Sequence, residues 1–387
     1  MTVYTQLRQE RVYFGEDYAQ ALATEIKRLG RGRAYFLASH SLVESTDLVA
    51  KAEAALGERF AGCATGMPPH TPRDAVLEMT RGARAASADL IVTFGGGSLT
   101  DAGKVVRLCL DQDIDEVDSF DRFRTIVHSD GRREFPQLPE IDIPQITIPT
   151  TLSGGEFNLS AGCTDLRAKS KQLYRHPSMT PVAVILDPAA TVYTPEWLWM
   201  STGMRAVDHC VETICSHLGN RQSDGAALNG LRLLSAGLPA VKADPTDLQA
   251  RLNCQVGAWQ AMEHNQSGVS MGASHGIGHV LGGTCSVPHG QTSCVMLPAV
   301  LKWNAEHNAD RQALVSETMG KPGEPASRVV EEFVASLGQP TRPSQVDVGP
   351  DQFATIAHHA MHDHYIHTNP RPIDSAAQIE EILGLAA

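Results

Sequence analysis

The 387-residue sequence predicts an N-terminal α/β domain built on a mostly parallel sheet, followed by an all-helical C-terminal domain. Three observations carry that prediction. Short apolar runs alternate with helical stretches through the first half, the strands then stop near 188–195, and the rest is rich in Ala and Leu at helical spacing. A chain of this length exceeds what one hydrophobic core usually serves, so two domains, 1–190 and 191–387, are expected.

The expected strands are "RAYFLAS" (33–39), "DLIVTFGGGS" (89–98), "QITIPTT" (145–151) and "VAVILD" (182–187). Each is short, rich in branched or aromatic residues, and closed by turn formers. "SLVESTDLVAKAEAALG" and "PRDAVLEMTRGARAAS" between them read as helices. Such alternation implies a parallel sheet covered on both faces, with ligands bound beyond the carboxyl ends of its strands. Residues 111–143 are polar, acidic at the start and without clear period, and are expected to form a mobile surface excursion. Further on, "MRAVDHCVETICSHL", "GAALNGLRLLSAGLPAVKA", "LQARLNCQVGAWQAMEH", "ASRVVEEFVASLG" and "AQIEEILGLA" read as helices.

A net charge of −12 argues against a nucleic-acid backbone or an anionic membrane as the main partner, but leaves small anionic ligands open. The first residues lack the apolar core of a signal peptide, and no apolar run approaches the roughly 20 residues that span a bilayer, so a cytoplasmic protein is expected. The eight cysteines are scattered without a CxxC pair and read as buried thiols.

"TFGGGSLTDAGKVV" (93–106) follows an expected strand and opens an expected helix. Gly95, Gly96 and Gly97 let the backbone approach a phosphate, and the N–H groups at the helix start face the anion. Asp101 and Lys104 follow in the first turns, placed to orient ribose or substrate groups. The plainer alternative is a glycine-rich turn with no ligand, and the spacing is neither G-x-G-x-x-G nor a Walker A. Four histidines form a second group. "SMGASHGIGHVLGGTCSVPHGQ" (270–291) holds His275 and His279, one helical turn apart, and His289 beyond a glycine-rich break. "TGMRAVDHCVE" (202–212) holds His209, with Arg205 four residues earlier and Asp208 and Glu212 beside them. That stretch is a metal site, the remains of one, or a charged helix face.

"GGGSLTDAGK" resembles the GGGSxxDxxK signature of the iron-containing (group III) alcohol dehydrogenase superfamily, and "IPTTLSGGE" (148–156) resembles its PTTxGTGSE element. "KQLYRHPSMTPVAVILDP" (171–188) and "NPRP" (369–372) agree, and the resemblance runs from "RVYFG" to the last helix. It implies a dehydroquinate synthase-like fold: a dinucleotide-binding α/β domain, a helical domain, and an active site in the cleft between. It also implies NAD or NADP, with the pyrophosphate on Gly95, Gly96, Gly97 and Ser98 and further contacts from Asp101, Lys104, Thr150, Thr151 and Lys171. Many relatives place an Asp after the second strand to bind the adenosine ribose. Ser39 stands there in this chain, so NADP should be tolerated as well as NAD.

In the metal-dependent relatives an Asp and a His four apart, plus two later His, bind the ion. Carried over, these are His209, His275 and His289, but Arg205 occupies the Asp position; His279 matches a further histidine that faces substrate and takes part in proton transfer. A guanidinium cannot ligate a cation and would repel one. Asp208 is turned about 100° from His209 on a helix, on a different face. Metal binding is therefore not expected. Iron or zinc on the three histidines with a water is the alternative.

Local sequence resembles the maleylacetate reductases of this superfamily, as in "LGGTCSVPHGQTSCVMLPAVL" (281–301), which work without metal. The chain departs from them at Arg205, at Ser274–His275, at Asp101 and in the 111–143 excursion. The resemblance implies an NAD(P)-dependent oxidoreductase, a metal-independent reductase of an oxo acid. Arg205, with His209, would supply positive charge to a carboxylate-bearing small substrate, and His279 or His275 would relay the proton. The alternatives are a metal-dependent alcohol dehydrogenase with Arg205 turned away, Arg205 in a surface ion pair, and a nucleotide-binding protein without catalysis. A homo-oligomer, a dimer, is expected by resemblance.

Overall fold

The computed structural model describes residues 3–127, 133–168 and 170–387. The described residues from 7 to 194 form one compact unit; those from 195 to 387, joined by residues 3–6, form the other.

The first unit contains strands β1 (Arg11–Phe14), β2 (Ala34–Ala38), β3 (Phe60–Ala64), β4 (Leu90–Gly95), β5 (Ile126–Val127), β6 (Arg133–Glu134), β7 (Gln145–Pro149), β8 (Ser160–Asp165), β9 (Ser170–Arg175) and β10 (Ala183–Leu186). Its helices are α1 (Tyr18–Leu29), α2 (His40–Ser45), α3 (Leu48–Leu56), α4 (Arg73–Ala85) and α5 (Gly97–Asp111). Six strands make one sheet in the order β1-β10-β7-β4-β2-β3, and every neighbouring pair is parallel. Successive side chains in a strand point to opposite faces. Phe36, Val92, Phe94, Ile146 and Ile148 accordingly pack on one side with Leu22 and Ile26 of α1 and Ala52 of α3. Leu37 and Ile91 pack on the other with α4 and α5. The edge strands β1 and β3 are the ones the apolar-run criterion passes over. β1 is only four residues long, and β3 reads Phe-Ala-Gly-Cys-Ala, with no β-branched residue.

The 111–143 segment lies largely at the surface, as expected, but is anchored by buried apolar side chains; its residues 128–132 lie outside those described. Ile114, Phe120, Leu138 and Ile141 are buried. Phe120 stands edge-on to Tyr174 of β9, with centroids 6.1 Å apart, and the Arg73 guanidinium lies 5.3 Å over its ring. Arg73 also donates to Asp121 at 2.7 Å. β5 and β6 pair as a short antiparallel hairpin within the same segment.

The second unit is helical: α6 (Glu196–Cys215), α7 (Arg221–Ala243), α8 (Leu248–Ala261), α9 (Glu263–Gln266), α10 (Ala273–Cys285), α11 (His289–Asn304), α12 (Ala309–Thr318), α13 (Ala326–Ser336), α14 (Phe353–Ala360) and α15 (Ala376–Ala386). Ile277, Met296, Val300, Ile356 and Ile382 make a core among α10, α11, α14 and α15. In α6 every residue from Trp199 to Cys215 except Thr202 is buried. A helix with no solvent face must find internal partners for its polar residues, and α6 carries Arg205, Asp208, His209 and Glu212. No helix among the described residues is long and apolar enough to cross a membrane.

Candidate functional site

In the first unit the expected phosphate-binding residues converge at the carboxyl ends of β2, β4 and β7. Chain order reverses there: β2 leads outward to β3, whereas β4 leads the other way to β7, and ligands of open α/β sheets bind at such a switch point. Gly95 has φ +153°, and a Cβ there would meet Leu99 Cδ1 at 2.5 Å and Ser39 Cβ at 3.2 Å. Ser39 and Gly95 are thus neighbours across the switch. A Cβ on Gly97 would lie 2.7 Å from Ser153 Oγ, so the β7 turn closes directly on the start of α5. Thr150 N–H donates to the Gly95 carbonyl at 2.9 Å, and Thr151 lies against Gly96. Gly96, Gly97 and Ser98 keep part of their surface open, so the first N–H groups of α5 can receive an anion.

Three expected members stand apart from that cradle. Lys104 is fully buried, and its ammonium donates to the carbonyls of Gly155 (2.7 Å), Asn158 (2.7 Å) and Ser160 (2.8 Å). All three of its hydrogens are used, so it ties the segment after β7 onto α5 and has no donor left for a cofactor: a correction to its expected role. Asp101 accepts from Gly162 N–H at 3.1 Å, and Lys171, about half exposed, lies 3.8 Å from it. Both lie along the β8–β9 hairpin.

In the second unit Arg205, Asp208, His209 and Glu212 form one stripe of α6, at the i, i+3, i+4 and i+7 spacing that shares a helix face. Arg205 is only 4% exposed, which excludes the surface ion pair. Its Nη1 donates to Ser293 Oγ at 3.0 Å and lies 3.7 Å from Asp208 Oδ2. Among the described residues no other side chain or backbone group accepts from the guanidinium, which has five N–H donors. Asp208 does not face away, as its helical angle suggested, because α6 is buried all round. Its Oδ2 accepts from Ser293 Oγ at 2.6 Å and Ser274 Oγ at 2.9 Å.

Glu212 holds the start of α10. Its carboxylate accepts from Gly272 N–H and Ser274 N–H, both at 2.9 Å, and from His275 Nδ1 at 2.7 Å. His275 Nδ1 thus faces the Glu212 carboxyl, and its Nε2 is buried and without a partner. The His209 ring lies 4.6 Å from the His275 ring and stacks at 5.4 Å on His264. Burial, and then the Arg205 cation, hold His209 and His275 well below the ordinary imidazole range, so both are neutral. Burial pushes the Asp208 and Glu212 carboxyls up, against the pull of Arg205 and the hydrogen bonds each accepts.

His279 and His289 form a separate, reachable pair, with rings parallel within 7° at 6.0 Å. His279 Nδ1 meets Asp363 Oδ2 at 2.8 Å, and the Tyr365 ring lies 5.6 Å from His279 and 6.0 Å from His275. The signal for Asp363 and Tyr365 was the histidine-rich "HHAMHDHYIHTNP" before the closing turn. Asn369 of that turn pairs with Asn304 and accepts from Ala273 N–H at 3.2 Å, adding a second hold on α10.

The implied divalent metal fares poorly against these donors. His209, His275 and His289 do not form one ligand set. Among the described residues the group with ligand atoms all within 4.8 Å is Asp208, Glu212 and His275. His275 Nδ1 lies 2.7 Å from Glu212, a hydrogen bond rather than two ligands about an ion, and Arg205 beside them has no lone pair to offer. The residues present do not fit a divalent cation.

Residues 9–188 match the family model for iron-containing alcohol dehydrogenase, and residues 199–387 match the model for the C-terminal part of that family. The chain is 32% identical to Dehydrogenase FUM7 of Gibberella moniliformis, over 97% of this chain and 96% of that protein. It is 29% identical to Maleylacetate reductase 1 of Cupriavidus pinatubonensis, over 95% of this chain and 92% of that protein. The crystal structure of maleylacetate reductase from Agrobacterium tumefaciens superposes with a TM-score of 0.83 at 29% identity, covering 100% of this chain and 98% of that one. The chain is an oxidoreductase of the iron-containing alcohol dehydrogenase family.

Proposed function

We propose that the protein is a metal-independent, NAD(P)H-linked reductase of a small oxo acid, with Arg205 in the electrostatic role that an ion has in metal-dependent relatives. The observation that carries this is a guanidinium only 4% exposed, with one side-chain hydrogen bond, beside two neutral imidazoles. A cation so placed is costly without an anionic partner, and Asp208 at 3.7 Å meets only one edge of it. A carboxylate or a developing alkoxide supplies the missing acceptor through charge-assisted hydrogen bonds.

The cradle of Gly95, Gly96, Gly97, Ser98, Thr150 and Thr151, with Ser39 at the ribose end, suits a dinucleotide's pyrophosphate at the start of α5, and the neutral Ser39 permits either NAD or NADP. The bound nicotinamide supplies the hydride. Arg205 orients the oxo acid and stabilises negative charge on the carbonyl oxygen, and His279 hands that oxygen a proton. The relatives named maleylacetate reductase support an acidic substrate.

The test compares wild type with Arg205→Ala on maleylacetate, on succinic semialdehyde, and on uncharged propanal. Removing one preorganised donor to an oxyanion costs roughly 100- to 1,000-fold in kcat. We expect that loss on the two acids, a strong wild-type preference for them over propanal, and activity insensitive to chelators. Stoichiometric iron or zinc in the purified protein, with activity lost on chelation, would overturn the proposal.

A further inference from the structure

We infer that Asp363 is the positioning residue of an Asp363–His279 proton-transfer dyad, fixing the His279 tautomer so that Nε2 delivers the proton. This rests on the reading of His279 as the proton donor and adds the residue that makes it one.

The argument begins with the carboxylate. Asp363 Oδ1 accepts from Tyr365 N–H at 2.9 Å, which locks the side chain against its own backbone turn. Oδ2 is thereby aimed at His279 Nδ1, 2.8 Å away, on the opposing face of α10. Burial pushes the Asp363 carboxyl up, but hydrogen bonds from His279 and His364 outweigh it and hold it well below the usual carboxylate range. An ionised carboxylate is only an acceptor, so Nδ1 must carry the hydrogen and the neutral ring must keep its lone pair on Nε2. The free neutral imidazole has no such constraint.

His279 is also placed to exchange protons, which His275 is not. Its side chain is 37% exposed, against 2% for His275. The other titratable groups around it are His289 at the start of α11, Tyr365 in the turn after α14, and, further in, Asp208 and His209 of α6 and His275 of α10. A reduced nicotinamide held at the cradle of Gly95, Gly96, Gly97 and Ser98 would supply hydride to the carbonyl carbon, leaving the π pair on the substrate oxygen. The Nε2–H bond of the His279 imidazolium then breaks, its electron pair staying on nitrogen, and an O–H bond forms on the substrate. Solvent returns the proton to Nε2, with Asp363 holding the ring throughout.

The test is Asp363→Asn, with Asp363→Glu as the conservative partner. Asparagine keeps an oxygen for Tyr365 N–H, so the turn survives, but its amide presents hydrogens to Nδ1 and favours the other tautomer. Histidine-selective ¹⁵N NMR, with the His279 signal assigned through His279→Gln, reads the tautomer without substrate. We expect Nδ1–H in wild type and in Asp363→Glu, and Nε2–H in Asp363→Asn. With maleylacetate, kcat should fall about 100-fold or more in Asp363→Asn, within the range of general acid catalysis. The Kd for NADPH should be unchanged, and Asp363→Glu should recover much of the rate. An Nε2–H signal in wild type, or an unchanged tautomer and kcat in Asp363→Asn, would overturn the dyad. Wild-type inactivity on every oxo acid would instead sink the proposed function, while the tautomer result would still stand.

Discussion

Lys104→Met separates the structural account of this lysine from the ligand role its sequence position suggests. The substitution keeps the length of the side chain and removes three donors from the carbonyls of Gly155, Asn158 and Ser160. At roughly 1–2 kcal/mol for each carbonyl left unmet, the loss is about 3–6 kcal/mol. An opposing term comes from the buried charge. Burial pushes the Lys104 pKa down from 10.5 to about 8, and at 1.36 kcal/mol per pH unit its removal restores about 3 kcal/mol. The net loss of about 0–3 kcal/mol corresponds to a Tm drop of no more than about 10 °C for a unit of this size. The larger effect is local, since the segment from Gly155 to Ser160 loses its tie to α5. Hydrogen exchange should therefore accelerate across residues 155–162, and NADPH affinity should weaken only as a consequence. If NADPH affinity falls more than tenfold while exchange in that segment is unchanged, Lys104 contacts the cofactor directly and the structural reading is wrong.

Two further perturbations read other parts of the chain. Glu212→Gln replaces an acceptor of three N–H groups by an amide that can serve only some of them, so urea unfolding should report a loss of about 2–4 kcal/mol; an unchanged midpoint would show that Glu212 does not cap α10. Glu156 is buried, and burial pushes its carboxyl from 4.5 up to about 7. Its folded pKa is raised, so the stability it contributes is complete below pH 4.5 and is lost as pH rises through 7, about 3 kcal/mol in all. Glu156→Gln, permanently neutral, should lack that decline, and denaturant titrations of both proteins between pH 4.5 and 8 that run parallel would refute it.

What the sequence disclosed and what it hid divide along sequence distance. Gly95–Gly97 are punctuation between an apolar run and a helix, a local signal, and they stand where a ligand-binding turn belongs. Arg205, His209, His275 and His279 are legible because helical spacing groups residues three and four apart. The partners that give these residues their chemistry lie far along the chain. Glu212 meets α10 sixty residues on, and Asp363 meets His279 eighty-four residues on, and no local pattern joins such pairs. Lys104 shows the opposite failure: a lysine behind a glycine turn suggests phosphate, and only the path of residues 155–160 shows three carbonyls waiting for it. Phe120 lay among acidic residues, so the excursion seemed polar, yet Tyr174 and Arg73 bury it.

The four histidines, alike in sequence, have unequal chemistry. A residue that donates a proton near pH 7 must hold one there and regain it from solvent. His275 fails both requirements: burial and the Arg205 cation keep it neutral, its Nδ1 is held against Glu212, and it is 2% exposed. His209, stacked between His275 and His264 under the same cation, is excluded by the same physics. Burial first, and then the cation that suits the site to an anionic substrate, disqualify the inner imidazoles as acids. On the proposed reading proton transfer falls to the outer pair, where Asp363 provides a negative neighbour and the ring of His279 reaches water. Replacing Arg205 by a neutral residue should therefore do more than weaken substrate binding: it should let His209 and His275 titrate closer to neutrality, a shift that ¹⁵N NMR of their rings would register.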